Sequence, residues 1–338
     1  MKLLFLLILV GGVSWVFTAL LRKYALSSDL LDVPNERSSH SNPTPRGGGV
    51  SIVVTFLFGL VFFLILSLIE LESFYGFAGA GLLIAILGFV DDHSHIPARW
   101  RLLGHFSAVS WLVFWLGGLP SIVLFGMSVD PGPVGQVLIV IVLVWLLNLY
   151  NFMDGIDGIA GVEALSSTLV VALLFLYVGN DYDMALLNLL LFAAVAGFLL
   201  WNFPPAKIFM GDAGSGFLGL MMGALAIYSS HIDHRMIWVW AILLGVFVVD
   251  ATYTLVRRLL RGDKVYEAHR SHAYQFASRK YSSHTKVTIS VLLINILWLA
   301  PWAVSVALNL IDGALAMLLA YIPLLFLAWK YHAGELER

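Results

Sequence analysis

Apolar residues run through this chain in long blocks; they neither alternate nor keep to one helical face. Eleven blocks stand out, at about residues 3–21, 48–69, 74–90, 103–118, 135–149, 159–178, 184–201, 214–229, 236–256, 287–309 and 313–331. Blocks of this length and apolarity are what a helix needs to cross hydrocarbon. The pattern predicts an all-α polytopic membrane protein of about eleven transmembrane helices. The fifth and eighth blocks are short and abut polar motifs, as a site dipping into the bilayer requires. No intervening stretch is long enough for a separate soluble domain, so residues 1–338 read as a single integral membrane domain.

Composition agrees. Of 338 residues, 60% are hydrophobic and 12% charged, whereas a soluble domain carries roughly a quarter charged residues. The net charge of −2 says little. There is no cysteine, which excludes disulfides and thiolate chemistry. Only Lys2 precedes the first block and no small-residue cleavage site closes it, so it reads as a retained span and not a signal peptide.

Charge then orients the chain. Of its 19 Lys and Arg residues, only Lys2 and Arg235 fall on one side of an eleven-span arrangement. The other seventeen share the opposite side, whose loops are 22–47, 91–102, 150–158, 202–213 and 257–286; 150–158 carries none of them, and two lie at the C-terminal end. The positive-inside rule makes that side cytoplasmic, with the N-terminus periplasmic and the C-terminus cytoplasmic. Every polar constellation lies in these five loops, which points to chemistry at the cytoplasmic membrane face. A transporter or lipid flippase, the rival class, needs its acids at mid-span.

The central constellation is Asn148-Leu-Tyr-Asn151-Phe-Met-Asp154-Gly155-Ile-Asp157-Gly158, between the fifth and sixth blocks. Carboxylates at a membrane edge are costly unless they hold a cation or line a wet cavity. If Asp154 opens the next helix, Asp154 and Asp157 share a face; the plain alternative is that one of them is an N-cap. The second loop carries Asp91-Asp92-His-Ser-His95, then Arg99 and Arg101. Its adjacent carboxylates need a cation, either the arginines or a divalent metal. The histidines lack the compact spacing of a zinc site.

The fourth loop, Phe209-Met-Gly211-Asp212-Ala-Gly214-Ser215, sets a carboxylate beside glycines and a helix start, the parts of a diphosphate site. Phe209 can stack on a base or simply pack. Arg46, before Gly47-Gly48-Gly49, can hold a phosphate or merely anchor the loop. In the last loop Arg257, Arg258 and Arg261 read as lipid-headgroup anchors. His269, Arg270 and His272 read as an anion or sugar clamp. Asp250, inside the ninth block, receives no role. Together Asp91, Asp92, Asp154, Asp157 and Asp212 offer hard oxygen ligands, which suit Mg²⁺, with Mn²⁺ serving as well, and phosphoryl transfer.

The order Asp-Asp, Asn-x-x-Asn-Phe-x-Asp-Gly-x-Asp-Gly, Phe-Met-Gly-Asp-x-Gly-Ser, then a His/Arg loop resembles the polyprenyl-phosphate N-acetylhexosamine-1-phosphate transferases. That family includes the enzymes that initiate O-antigen and enterobacterial common antigen, and the phospho-MurNAc-pentapeptide translocase. The resemblance covers nearly the whole chain, including the first loop from Pro34 to Gly49. It implies transfer of a sugar-1-phosphate from a UDP-N-acetylhexosamine to undecaprenyl phosphate, with release of UMP. It implies Mg²⁺ on Asp212, helped by Asp154, and uracil on Phe209. Asp91 and Asp92 are tied by it to the lipid phosphate, with Asp91 as base, and Asp154 and Asp157 to the nucleotide and metal site. Arg46, Arg99, Arg101, Asn151, His269, Arg270 and His272 are the expected substrate contacts. His95 departs from the family pattern, as does His272-Ala273-Tyr274-Gln275 where a run of histidines is common. That departure points away from the peptidoglycan translocase and towards an O-antigen enzyme with a deoxy N-acetylhexosamine donor. The expected setting is a bacterial inner membrane, with a homodimer allowed and no nucleic-acid partner.

Overall fold

A computed structural model of the chain describes residues 2–34, 42–94, 96–179, 181–263 and 269–336. Within the first, second and last loops, Asn35–Ser41 with Arg37, His95, and Lys264 therefore lie outside the described residues.

Each of the eleven blocks corresponds to a helix or a consecutive pair. They are α1 (Lys2–Ser27), α2 (Val50–Ile65), α3 (Leu71–Ser94), α4 (Ala98–Trp115), α5 (Gly132–Met153), α6 (Ile159–Leu174, continued by a π turn to Gly179), α7 (Tyr182–Asn202), α8 (Asp212–Ile232), α9 (Met236–Leu243) with α10 (Gly245–Arg261), α12 (His284–Ile294) with α13 (Ala300–Ala307), and α14 (Gly313–Lys330). A short α11 (Ala273–Tyr281) lies in the last loop. Among the described residues, eight helical stretches are long and apolar enough to cross a membrane, or nine with α9 and α10 taken as one span bent by 67°. The α2 helix has only 16 residues, and α4 is not among the nine.

The helices that carry the fifth and eighth blocks are longer than the blocks themselves. The α5 helix has 22 residues and α8 has 21. Asn148, Tyr150 and Asn151 end the apolar run of α5 without ending its helix, and α8 begins at Asp212, inside the polar motif.

The α8 helix is the axis of the fold, buried over nearly its whole length and packed on α3, α5, α2 and α9. Its Gly, Ala and Ser content permits this, since small residues let helix backbones approach in lipid. At Gly88 of α3, an added Cβ would lie 2.5 Å from the Ala213 nitrogen. That crossing sets Asp91 and Asp92, one turn further along α3, beside the first turn of α8.

The bend between α9 and α10 is satisfied from both sides, as hydrocarbon demands. Tyr321 Oη donates to the Ala241 carbonyl at 2.6 Å. Glu163 faces the Phe247 N–H and accepts Asn295 Nδ2 at 2.6 Å.

Candidate active site

All five loops assigned to one side converge on a cavity of about 280 Å³. Its wall includes Asp32 and Arg46, Asp92, Asn151, Asp154 to Asp157, Phe209 to Asp212, and Gln275 and His284. A larger cavity of about 770 Å³ adjoins it, sharing Asp157, Phe209 and His284. Thr44, Ser278, Ser282, Ser283 and Thr285 give the larger one a hydroxyl-rich wall.

The Asp-Asp pair is held by cations and by a helix end. Arg101 Nη1 lies 2.7 Å from Asp91 Oδ2 and 4.0 Å from Asp212 Oδ2, so it bridges α3 and α8. The Ile96 N–H donates to the other Asp91 oxygen at 2.7 Å. Asp92 accepts the backbone N–H groups of Asp212 at 3.3 Å and Ala213 at 3.5 Å. It therefore caps α8 from another helix, where the N-cap residue, Gly211, offers no side chain. Arg46 Nη1 stands 3.9 Å from Asp92, and Arg46 Nη2 donates to the Asp92 carbonyl. Arg99 is exposed, lies against Trp100 and is not on the cavity wall.

The central motif divides its two carboxylates. Asp154 does not open the next helix; it closes α5 as its C-cap, and α6 begins only after Gly158, at φ 73°. The helical-face premise for the pair fails, because Gly155 to Gly158 form a turn. Both carboxylates still reach the cavity. Asp157 accepts the Ala206 N–H at 2.9 Å and lies 3.0 Å from His284 Nδ1. Asp154, half-buried, has no hydrogen-bond donor and no counter-charge among the described residues. Burial, and then the charges of Asp212, Asp92 and Asp157, push its carboxyl well above the usual range. Asn151 hydrogen-bonds the Asp212 side chain and donates to Ser215 Oγ at 3.2 Å. Phe209 is half-buried, its backbone pinned between Pro45 and Gly48.

No cluster of three or more His, Cys, Asp or Glu is close enough to hold a metal among the described residues. A magnesium ion does not require one; it is held by one or two carboxylates plus waters and substrate phosphates. Asp154 and Asp212 fit that role: both are oxygen donors on the cavity wall, and Asp154 has no other partner among the described residues.

His269, Arg270 and His272 are not on the wall of either cavity. His272 is buried beside Asp250, with Nδ1 3.4 Å from Oδ1. Asp250 caps α11 by accepting the N–H groups of Ala273 at 2.9 Å and Tyr274 at 3.0 Å. Tyr274 Oη in turn donates to the Phe152 carbonyl at 2.9 Å, against Gly155, where no side chain would fit. Tyr274 and Gln275, two of the departures in the last loop, are thus the residues docked on the central motif. The sequence reading missed Asp32, Asn202, Gln275 and His284. Asn202, a lone amide ending an apolar run, was a usable signal; His284 carried none.

Residues 74–230 match the model of glycosyl transferase family 4. The chain is 28% identical over 302 residues to a probable undecaprenyl-phosphate N-acetylglucosaminyl 1-phosphate transferase of Bacillus subtilis, covering 84% of this chain and 79% of that protein. It is 27% identical over 297 residues to the undecaprenyl-phosphate alpha-N-acetylglucosaminyl 1-phosphate transferase of Thermotoga maritima, covering 85% and 87%. A phospho-N-acetylmuramoyl-pentapeptide-transferase of Streptococcus agalactiae is 29% identical over 251 residues, covering 66% and 73%. With these motifs gathered on one cavity, the chain is similar to glycosyl transferase family 4 over residues 74–230, and to polyprenyl-phosphate sugar-1-phosphate transferases over most of its length.

Proposed function

We propose that the protein transfers an N-acetylhexosamine-1-phosphate from a UDP-sugar to undecaprenyl phosphate, releasing UMP, and so starts a lipid-linked glycan such as O-antigen. One observation carries the reading. A carboxylate without a partner, Asp154, sits among Asp92, Asp157 and Asp212 where five loops meet at the ends of apolar helices. Such a cluster suits a cation-bound diphosphate at a membrane face.

An oxygen of the lipid phosphate attacks the β-phosphorus of the UDP-sugar. The bond from that phosphorus to the bridging oxygen breaks, and UMP leaves with the electron pair. Bound Mg²⁺, held by Asp154 and Asp212, would neutralise diphosphate charge. Arg101 and Arg46 place positive charge beside Asp91 and Asp92, where a phosphate can dock. Asp91 is engaged by Arg101 and Ile96, which suits a positioning role better than that of a base. A phosphate dianion is already a nucleophile and needs no covalent enzyme intermediate.

The test uses membranes holding the chain, undecaprenyl phosphate, Mg²⁺ and a panel of UDP-N-acetylhexosamines, deoxy sugars included. UMP with a new lipid-linked sugar is expected, and the fastest donor identifies the sugar. Release of UDP would mean ordinary glycosyl transfer and overturn the proposal. No nucleotide release from folded protein would favour a transporter.

A further inference from the structure

Asp157 ties together three segments distant in sequence. Its carboxylate accepts the Ala206 N–H, from the loop that carries Phe209 and leads to Asp212. The same carboxylate meets the ring of His284, the first residue of α12. Its carbonyl accepts Thr288 Oγ1 at 2.8 Å, one turn further along α12. His284 follows Ser283, which caps α12 by accepting the Lys286 N–H, so the imidazole projects from a fixed helix end. Asp157 and His284 both line the carboxylate-rich cavity and the hydroxyl-rich one, so they stand where the two meet.

We propose that Asp157 and His284 form a positioning pair that fixes the junction between the two cavities, and with it the seat of the sugar nucleotide. Asp157 is then not a metal ligand. The inference rests on the proposed transfer reaction for its functional half and on geometry alone for its structural half. The cavity of about 280 Å³ carries the carboxylates that suit a diphosphate and its cation, whereas Asp157 is the one acid on the described wall of the larger cavity. The remainder of the donor extends across the junction into the larger cavity. A shift of the 203–211 loop against α12 would misalign both ends of the donor together. The carboxylates that hold the cation would keep their places, because Asp212 is fixed by Asp92, Asn151 and Arg101. The two aspartates of one motif thus divide the work: Asp154 is left for the cation, and Asp157 braces the wall.

The chain has no cysteine, so spin labels at Lys207→Cys and Lys286→Cys report the loop-to-α12 distance in the full-length protein. A narrow distribution is expected in the otherwise unaltered chain. It should broaden equally in His284→Gln, Asp157→Asn and the double variant. An unchanged distribution in His284→Gln overturns the pair, whatever reaction the protein catalyses. In the UMP-release assay, losing one charge-assisted hydrogen bond should raise the donor KM of His284→Gln about tenfold, with kcat within about twofold. A broadened distribution with unchanged donor KM overturns the donor role but keeps the brace. Absence of UMP from the unaltered chain overturns the transfer reading and, with it, the donor role, while the distance result still decides the brace. Asp157→Asn should leave the Mg²⁺ concentration for half-maximal activity unchanged; a tenfold rise would return Asp157 to the metal set.

Discussion

The carboxylate of Asp92, on α3, caps the helix that Asp212 begins, accepting the Asp212 and Ala213 N–H groups at 3.3 and 3.5 Å. A helix start leaves unpaired N–H groups, and here the partner comes from another helix. The same contact fixes the distance between two of the site's acids. Loss of a capping side chain costs about 1 kcal/mol. Asp92→Ala should therefore lower the melting temperature modestly, yet reduce turnover about a hundredfold by letting Asp212 drift. Asp92→Asn keeps one acceptor oxygen and should recover part of both. Full activity in Asp92→Ala would show that Asp212 is placed by other contacts.

Gly88 tests the same junction from the backbone side. Its added methyl would meet the Ala213 nitrogen at 2.5 Å and Cα at 2.6 Å, and neither belongs to a side chain that can swing away. Overpacking of this kind costs about 1–3 kcal/mol. Gly88→Ala should insert with normal helical circular dichroism, melt lower and lose most turnover. The neighbouring Ile86→Ala, at an exposed α3 position, should change neither.

Much of this was legible in the sequence, and the exceptions share a cause. Blocks of apolar residues located every crossing helix, because hydropathy is a property of each segment alone. The motifs announced Asp92, Asp154, Asp157 and Asp212, because acids at a membrane edge are conspicuous. Partnership was not legible. Nothing in the spacing tells that Asp92 caps α8, that Asp154, unlike Asp157, lacks a partner among the described residues, or that His284 meets Asp157 across 127 residues. Hydropathy understates helix length where polar residues continue a helix, as in α5 and α8. The spacing of Asp154 and Asp157 fits a helical face, but Gly158 adopts a left-handed conformation there and the helix starts only after it. The expectation that His269, Arg270 and His272 bind substrate rested on residue type. In the structure His272 is buried beside Asp250, and Gln275, three residues on, reaches the cavity.

His269 should stay neutral throughout the working pH range. Burial, then the charges of His272 and Arg258, lower it from 6.5 to about 3. Between these values the unfolded chain binds a proton that the folded chain refuses, so stability falls as pH drops through that window. His269→Gln should flatten the acid side of a plot of melting temperature against pH. It should leave the rate profile above about pH 6.5 unchanged. A loss of the alkaline or acid limb of that rate profile would mean that His269 takes part in proton transfer after all.

Asp154 carries the opposite sign. Its carboxyl is raised well above its ordinary 3.8 by burial and by Asp212, Asp92 and Asp157. In the absence of metal, the folded chain therefore holds this proton more tightly than the unfolded chain. That contribution is complete below the ordinary carboxylate value and is lost as pH rises through the elevated one. Relative to Asp154→Asn, which is uncharged at every pH, the metal-free unaltered chain should gain stability as pH falls over the range from the elevated value to the ordinary one, and should melt lower than that variant above it. A cation competes with the proton for the same oxygens, so the rise in melting temperature on adding Mg²⁺ should shrink over that range and vanish in Asp154→Asn. Asp157→Asn should keep the Mg²⁺ response, because its carboxylate already has the Ala206 N–H and His284. If Asp154→Asn melts lower than the unaltered chain and still responds to Mg²⁺, the carboxylate is a structural group and the cation sits elsewhere.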